Sequence, residues 1–292
     1  MSSPALCANE ALVRVAAVSV GYSDVEQALA SGAGALRPGC DLAGTVEVAA
    51  KDGSGPEVGA RVAGVVRAGA WAQFAAVPSD ALAKVPESVS FAQAAALPTD
   101  GLTALYGLDK GGLLAAKRVL VTAAAGGTGL FAVQLAHLSG ARVAAVVAVM
   151  EHEALLEEYG ADYVVVEDVA AAEPFGPYHL VLVDAMGGPS LTPALTFTVK
   201  GGICVLYGTA RTSGAVIDER ALVSRSTRLQ GLTLFNELEH NPACTGLQRL
   251  LDLVKSRALQ PHIELEDAWT EIGAVARRLV HGNLVGRAVL HL

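Results

Sequence analysis

The alternation of apolar and polar positions changes rhythm once along this chain, close to Arg118. Before that point the apolar runs are short and partly alternating: Ala11 to Ala17, Asp41 to Ala50, Arg61 to Val66 and Trp71 to Val77, broken by Gly, Pro, Asp or Ser. A period of two marks strands with one buried face, so a β-rich region is predicted. Ser90-Phe91-Ala92-Gln93 has the spacing of a capping box and predicts a helix through Ala96. Beyond Pro98 a second helical stretch is predicted to about Leu108.

From Arg118 the apolar runs become nearly continuous. Arg118 to Thr122, Arg142 to Val149, Tyr163 to Val166, Leu180 to Asp184 and Ile203 to Tyr207 read as buried strands, and helix-length segments such as Gly129 to Ser139 and Glu151 to Tyr159 lie between most of them. Apolar strands alternating with helices predict a parallel sheet covered on both faces. After Leu229 to Thr233 come a helix at about Cys244 to Ser256, another at Trp269 to Val280 and a strand at Arg287 to Leu292. The expected organisation is a β-rich domain over residues 1–98, an inserted doubly wound α/β domain over 99–236, and a segment over 237–292 that returns to the first domain.

Composition narrows the function classes. Half of the 292 residues are apolar, which excludes a disordered chain, and the net charge of −8 carries no basic stripe for a nucleic acid backbone. The longest apolar run, Val143 to Met150, is too short to span a membrane. The start of the chain lacks a signal-peptide pattern and the four cysteines are scattered, so a cytoplasmic protein with reduced thiols is expected. Its partner would be a small-molecule substrate, with neither nucleic acid nor membrane involved.

The chemistry is written most clearly in Val119 to Ala136. A buried strand enters the small-residue turn Ala124-Ala125-Gly126-Gly127-Thr128-Gly129 and leaves as a helix. Small residues let such a turn tighten and let its backbone approach a pyrophosphate, while N–H groups at the helix start face the anion. The glycine pattern alone is weak; set between strand and helix, as here, it indicates a dinucleotide site.

This segment resembles the zinc-independent quinone-oxidoreductase branch of the medium-chain dehydrogenase/reductase superfamily, which includes zeta-crystallin-like proteins and polyketide enoyl reductase domains. Further stretches match in order, among them Val20-Gly21-Tyr22-Ser23-Asp24, Pro38-Gly39-Cys40-Asp41-Leu42-Ala43-Gly44, Ala95-Ala96-Leu97-Pro98, Asp184-Ala185-Met186-Gly187-Gly188 and Val285-Gly286-Arg287-Ala288-Val289-Leu290. The resemblance implies a GroES-like catalytic domain interrupted by a Rossmann domain, with the cofactor in the cleft between them. It implies NADPH as cofactor, NADH not being excluded, and hydride transfer to a quinone, an enone or an enoyl thioester. Relatives also pair through the edges of their Rossmann sheets, which points to a homodimer with Leu229 to Phe235 as the candidate edge.

Where the chain departs from relatives, the readings stay open. Relatives carry a further hairpin before the Val13-Arg14-Val15 strand, so a more open substrate side is expected. Ala148 and His152 stand where NADPH-preferring relatives place a Ser and a basic residue; His152 would either pair with the 2′-phosphate or sit exposed early in a helix. Tyr22 follows Gly21 where relatives carry Asn, and would either donate to a substrate carbonyl as the catalytic group or pack in its loop. Catalytic-zinc relatives have Cys at the Gly21 position and His at the Cys40 position, so no metal is expected. Thr103, Tyr207, Gly208 and Thr209 are the remaining candidate cofactor contacts, and Leu234 and Phe235 are expected on a strand edge lining the nicotinamide pocket. The expected activity is NAD(P)H-dependent reduction of a conjugated double bond or quinone. The alternatives are a cyclase, isomerase or reductive ring-closing enzyme on the same scaffold, and a non-catalytic nucleotide-binding protein.

Overall fold

The computed structural model describes residues 4–30, 37–166, 168–184, 188–208, 217, 219–282 and 284–292. The chain divides into two units, Met1–Leu102 with Leu238–Leu292, and Thr103–Glu237. These limits lie a few residues beyond the 98 and 236 read from the sequence.

The first unit opens with β1 (Glu10–Val20), α1 (Tyr22–Ala30), β2 (Asp41–Val48), β3 (Arg61–Val65), β4 (Phe74–Pro78), β5 (Leu82–Lys84) and α2 (Phe91–Ala95), followed by α3 (Pro98–Asp109), which runs past the division. Ser90 caps α2 as its spacing predicts: its hydroxyl accepts from the Gln93 N–H at 3.0 Å and the Gln93 side chain accepts from the Ser90 N–H at 3.0 Å. Tyr22, expected in a loop, instead opens α1. The reason is local: Asp24, two residues into the helix, accepts from the Gly21 N–H at 2.9 Å and so caps the helix start.

The second unit contains β6 (Arg118–Val121), α4 (Gly127–Leu138), β7 (Arg142–Val147), α5 (Glu153–Glu158), β8 (Tyr163–Val166), β9 (Tyr178–Val183), α6 (Gly188–Thr196), β10 (Thr198–Leu206), α7 (Glu219–Arg225), β11 (Arg228–Gly231) and α8 (Leu234–Glu237). Among the described residues all its strand pairs are parallel, in the order β11-β10-β9-β6-β7-β8. Read from β8, this is the strand order 3-2-1-4-5-6 of the dinucleotide-binding sheet, with its topological switch between β6 and β9. Leu120, Val146, Val181, Val183 and Cys204 pack in one cluster, which accounts for the continuous apolar runs of the central strands. Leu234 and Phe235 lie in α8 rather than on a strand; β11 ends at Gly231 and the chain turns into a helix three residues later. The β11 edge of the sheet is therefore confined to Arg228–Gly231.

The chain then returns to the first unit through α9 (Ala243–Lys255), β12 (Ile263–Ala268), α10 (Ile272–Val280) and β13 (Arg287–His291). The first half of β1 pairs antiparallel with β4 and its second half with β13, while β2 runs along its other side. Val13, Val15, Leu42, Val62, Val77, Val275, Leu279 and Leu290 share the core this closes, so residues more than two hundred positions apart pack together. Among the described residues no helix is long and apolar enough to cross a membrane.

Candidate functional site

The glycine turn sits at the carboxyl end of β6, at the switch point of the sheet. Four backbone bonds fix it. Thr122 N–H donates to Leu182 O at 3.0 Å, Ala124 N–H to Val146 O at 2.9 Å, Gly126 N–H to Ala123 O at 2.9 Å, and Leu130 N–H to Gly126 O at 2.9 Å. Ala123 takes a left-handed φ of 48°, the sharp point of the turn. At Gly129 a Cβ would fall 2.6 Å from Ala123 O and 2.7 Å from Ala124 Cα, so glycine is required where α4 crosses β6.

The start of α4 fits a pyrophosphate. Its N-cap, Gly126, is exposed and offers no side chain to accept from the first-turn N–H groups of this 12-residue helix. Such groups favour an external anion. Ala124 is fully buried and takes part through its backbone, while Ala125, Gly127 and Thr128 are half-buried beside Gly126.

Because the strands are parallel, their carboxyl ends collect further residues along one edge. Ala148 is exposed just past β7, and Tyr207 and Gly208 are half-buried just past β10, where the Tyr207 N–H donates to Val183 O at 3.1 Å. Asp184, which the sequence reading left out of the site, follows β9. Its N–H donates to Thr122 Oγ1 at 3.0 Å, and its carboxylate lies 4.0 Å from where a Gly126 Cβ would stand. A polar residue ending the strand next to the switch point is the signal that would have found it.

The other candidates scatter. Thr103 is buried in α3, and Thr209 lies outside the described residues. His152 is half-buried ahead of α5, with Nδ1 enclosed and making no hydrogen bond. Tyr22 belongs to the first unit.

That unit holds a charge cluster that motif reading missed. Arg287 of β13 lies in the interior against Asp100, to which its Nε donates, Asp41 at 3.5 Å and Asp24 at 3.9 Å. Burial pushes the Asp41 carboxyl up to about 7, against the opposing pull of Arg287, and it raises Asp24 as well. Burial and the neighbouring carboxylates of Asp24 and Asp41 push the Cys40 thiol far up, which opposes formation of a nucleophilic thiolate. No group of three or more His, Cys, Asp or Glu residues suited to a metal ion occurs among the described residues.

Comparison with known proteins matches two stretches of the chain. Residues 7–87 match the family described as alcohol dehydrogenase GroES-like domain, and residues 127–250 that described as zinc-binding dehydrogenase. The chain is 28% identical to the mitochondrial NAD(P)H oxidoreductase RTN4IP1 of Drosophila melanogaster, over 98% of this chain and 80% of that protein. The quinone oxidoreductase of Thermus thermophilus, solved also with NADPH, superposes with a TM-score of 0.83 at 29% identity, covering 100% of this chain and 94% of that one. The CurK enoyl reductase superposes with a TM-score of 0.85 at 25% identity, covering 100% and 93%.

Proposed function

Given that the chain belongs to the quinone-oxidoreductase-like branch of the medium-chain dehydrogenase/reductase superfamily, we propose that it reduces a quinone, or a carbon–carbon double bond conjugated to a carbonyl, with NADPH. The observation that carries this reading is the uncapped glycine turn at the switch point of a 3-2-1-4-5-6 sheet. The nicotinamide, when bound, supplies the hydride.

The remaining work falls to the chain. Backbone N–H groups from Ala124 to Gly129 hold the pyrophosphate, and Tyr207 and Gly208 line the same carboxyl edge. Asp184, beside the turn, is suited to accept from a ribose hydroxyl. With Nδ1 turned into the protein, His152 presents Nε2 to a 2′-phosphate beyond the exposed Ala148. The Tyr22 phenol donates to the substrate carbonyl oxygen as negative charge builds there, and then releases its proton to the product.

The reaction runs without zinc. Gly21 and Cys40 occupy the positions of two ligands in catalytic-zinc relatives, and a side chain at Gly21 would meet Arg287 Nη1 at 2.2 Å. The residues do not fit a three-ligand site. Two copies pair through the β11 edge, where Leu229 is partly exposed; light scattering on the purified protein should give twice the monomer mass.

The deciding test combines calorimetry with NADPH and NADH and a spectrophotometric assay of NADPH oxidation by 1,4-benzoquinone. Preference for NADPH together with quinone-dependent oxidation supports the reductase. Absence of binding by either nucleotide at millimolar concentration removes it.

A further inference from the structure

One guanidinium meets three carboxylates in the interior of the first unit. The side chain of Arg287 is 5% exposed, and those of Asp24, Asp41 and Asp100 are 4%, 0% and 14% exposed. Fully ionised, the group would carry one positive and three negative charges away from water. Charges so placed are costly unless paired, so the cluster favours keeping a proton.

Asp41 is the most deeply buried of the three carboxylates. Its Oδ1 accepts from the Thr99 N–H at 3.0 Å and from the Thr99 hydroxyl, whereas its Oδ2 makes no hydrogen bond and lies 3.5 Å from Arg287 Nη2. Asp24 has other work, capping α1 through the Gly21 N–H. The titratable groups facing Asp41 are Arg287 from β13, Asp24 from α1 and Asp100 from α3. The Cys40 thiol, just ahead of β2, faces Asp24 and Asp41.

The same cluster presses on the backbone next to Tyr22. A Cβ on Gly21 would stand 2.2 Å from Arg287 Nη1 and 3.3 Å from Asp24 Oδ2, so residue 21 rests directly on the guanidinium. If Asp41 ionises, Arg287 is drawn toward a third full charge and its hold on Asp24 slackens. We propose that Arg287 and Asp41 are positioning residues for the Gly21–Tyr22 segment, and that they hold it through a proton buried with them in the cluster. For turnover, the inference rests on the reading of Tyr22 as the group that meets substrate.

The test follows the Gly21 amide resonance of the nitrogen-15-labelled full chain between about pH 5.5 and 8.5, in the wild type, Asp41→Asn and Arg287→Lys. Asparagine keeps the acceptor for Thr99 but cannot ionise. The expected wild-type resonance moves with a midpoint near 7 and is stationary in Asp41→Asn. Wild-type kcat with NADPH and 1,4-benzoquinone should fall roughly threefold or more across that range and less than about twofold in Asp41→Asn, with NADPH affinity unaltered. Arg287→Lys retains the charge without the fork, and should lower kcat while leaving NADPH affinity in place. A wild-type Gly21 resonance that does not titrate overturns the proposal, and so does an equal titration in Asp41→Asn. Should Asp41→Asn not fold, Thr99→Val serves instead: it removes the hydroxyl bond to Asp41 Oδ1 that favours the ionised form, and must raise the midpoint of the Gly21 response. A wild type with no quinone turnover sinks the reductase reading alone, because the amide still reports whether the cluster positions the segment.

Discussion

At Gly129 the space for a side chain is already taken by Ala123 O and Ala124 Cα. Gly129→Ala therefore has to lift α4 from β6, at a cost of roughly 1–3 kcal/mol. Thermal melting should show that loss, and NADPH titration a weaker complex, since the first turn of α4 moves with it. His152→Ala makes a separate prediction. A charge-assisted contact to phosphate contributes about 1.5–3 kcal/mol, so NADPH affinity should fall by about tenfold or more while NADH affinity barely changes. An equal loss for both nucleotides would remove His152 from the 2′-phosphate. At this scale the glycine turn was legible because its residues are consecutive. Asp24, Asp41, Asp100 and Arg287 were not, because four single residues spread from position 24 to 287 meet only once the sheet is built.

Elements were legible in proportion to how far burial dictates them. The central parallel strands are apolar on both faces, so β6, β7 and β9 stood out. The strand β12, Ile-Glu-Leu-Glu-Asp-Ala, is almost wholly exposed on its outer positions and is held by its ladder with β13, which leaves little hydrophobic pattern to read. Helix α1 buries only Asp24 and Val25, so its amphipathic signal is weak and its cap does the organising. Caps can be tested directly. Ser90→Ala removes the acceptor of the α2 capping box and should destabilise the first unit by about 1 kcal/mol. A lower urea midpoint with an unchanged slope would report it.

Across the whole molecule, the Arg287 cluster gives stability a pH dependence of known sign. The Asp41 carboxyl titrates at about 7 in the folded protein against an ordinary value of 3.8, so the folded state binds more protons than the unfolded state in between. Its contribution to stability is therefore complete below about pH 4, declines as pH rises, and is gone above about 7. The melting temperature of the wild type should carry this falling component, and Asp41→Asn should flatten it, with its advantage over the wild type greatest on the alkaline side. Arg287→Leu goes the other way: it leaves three carboxylates in the interior without a cation and should abolish folding of the first unit at neutral pH. Circular dichroism and soluble yield would register either outcome.

The pairing of β1 with β13 also sets an order of events during synthesis. Residues 103–237 form a continuous stretch and can fold as they leave the ribosome, whereas the first unit waits for residues 287–291. Between Leu102 and Arg287 the ribosome adds 185 residues, a delay on the order of ten seconds or more at ordinary elongation rates. For that time the half of β1 that will pair with β13 is an open edge, and the carboxylates of Asp24, Asp41 and Asp100 have no Arg287 to meet. Burying those carboxylates without their cation is costly, so the interior of the first unit closes only when Arg287 arrives. The cluster that holds the Gly21–Tyr22 segment is thus among the last parts of its own unit to form.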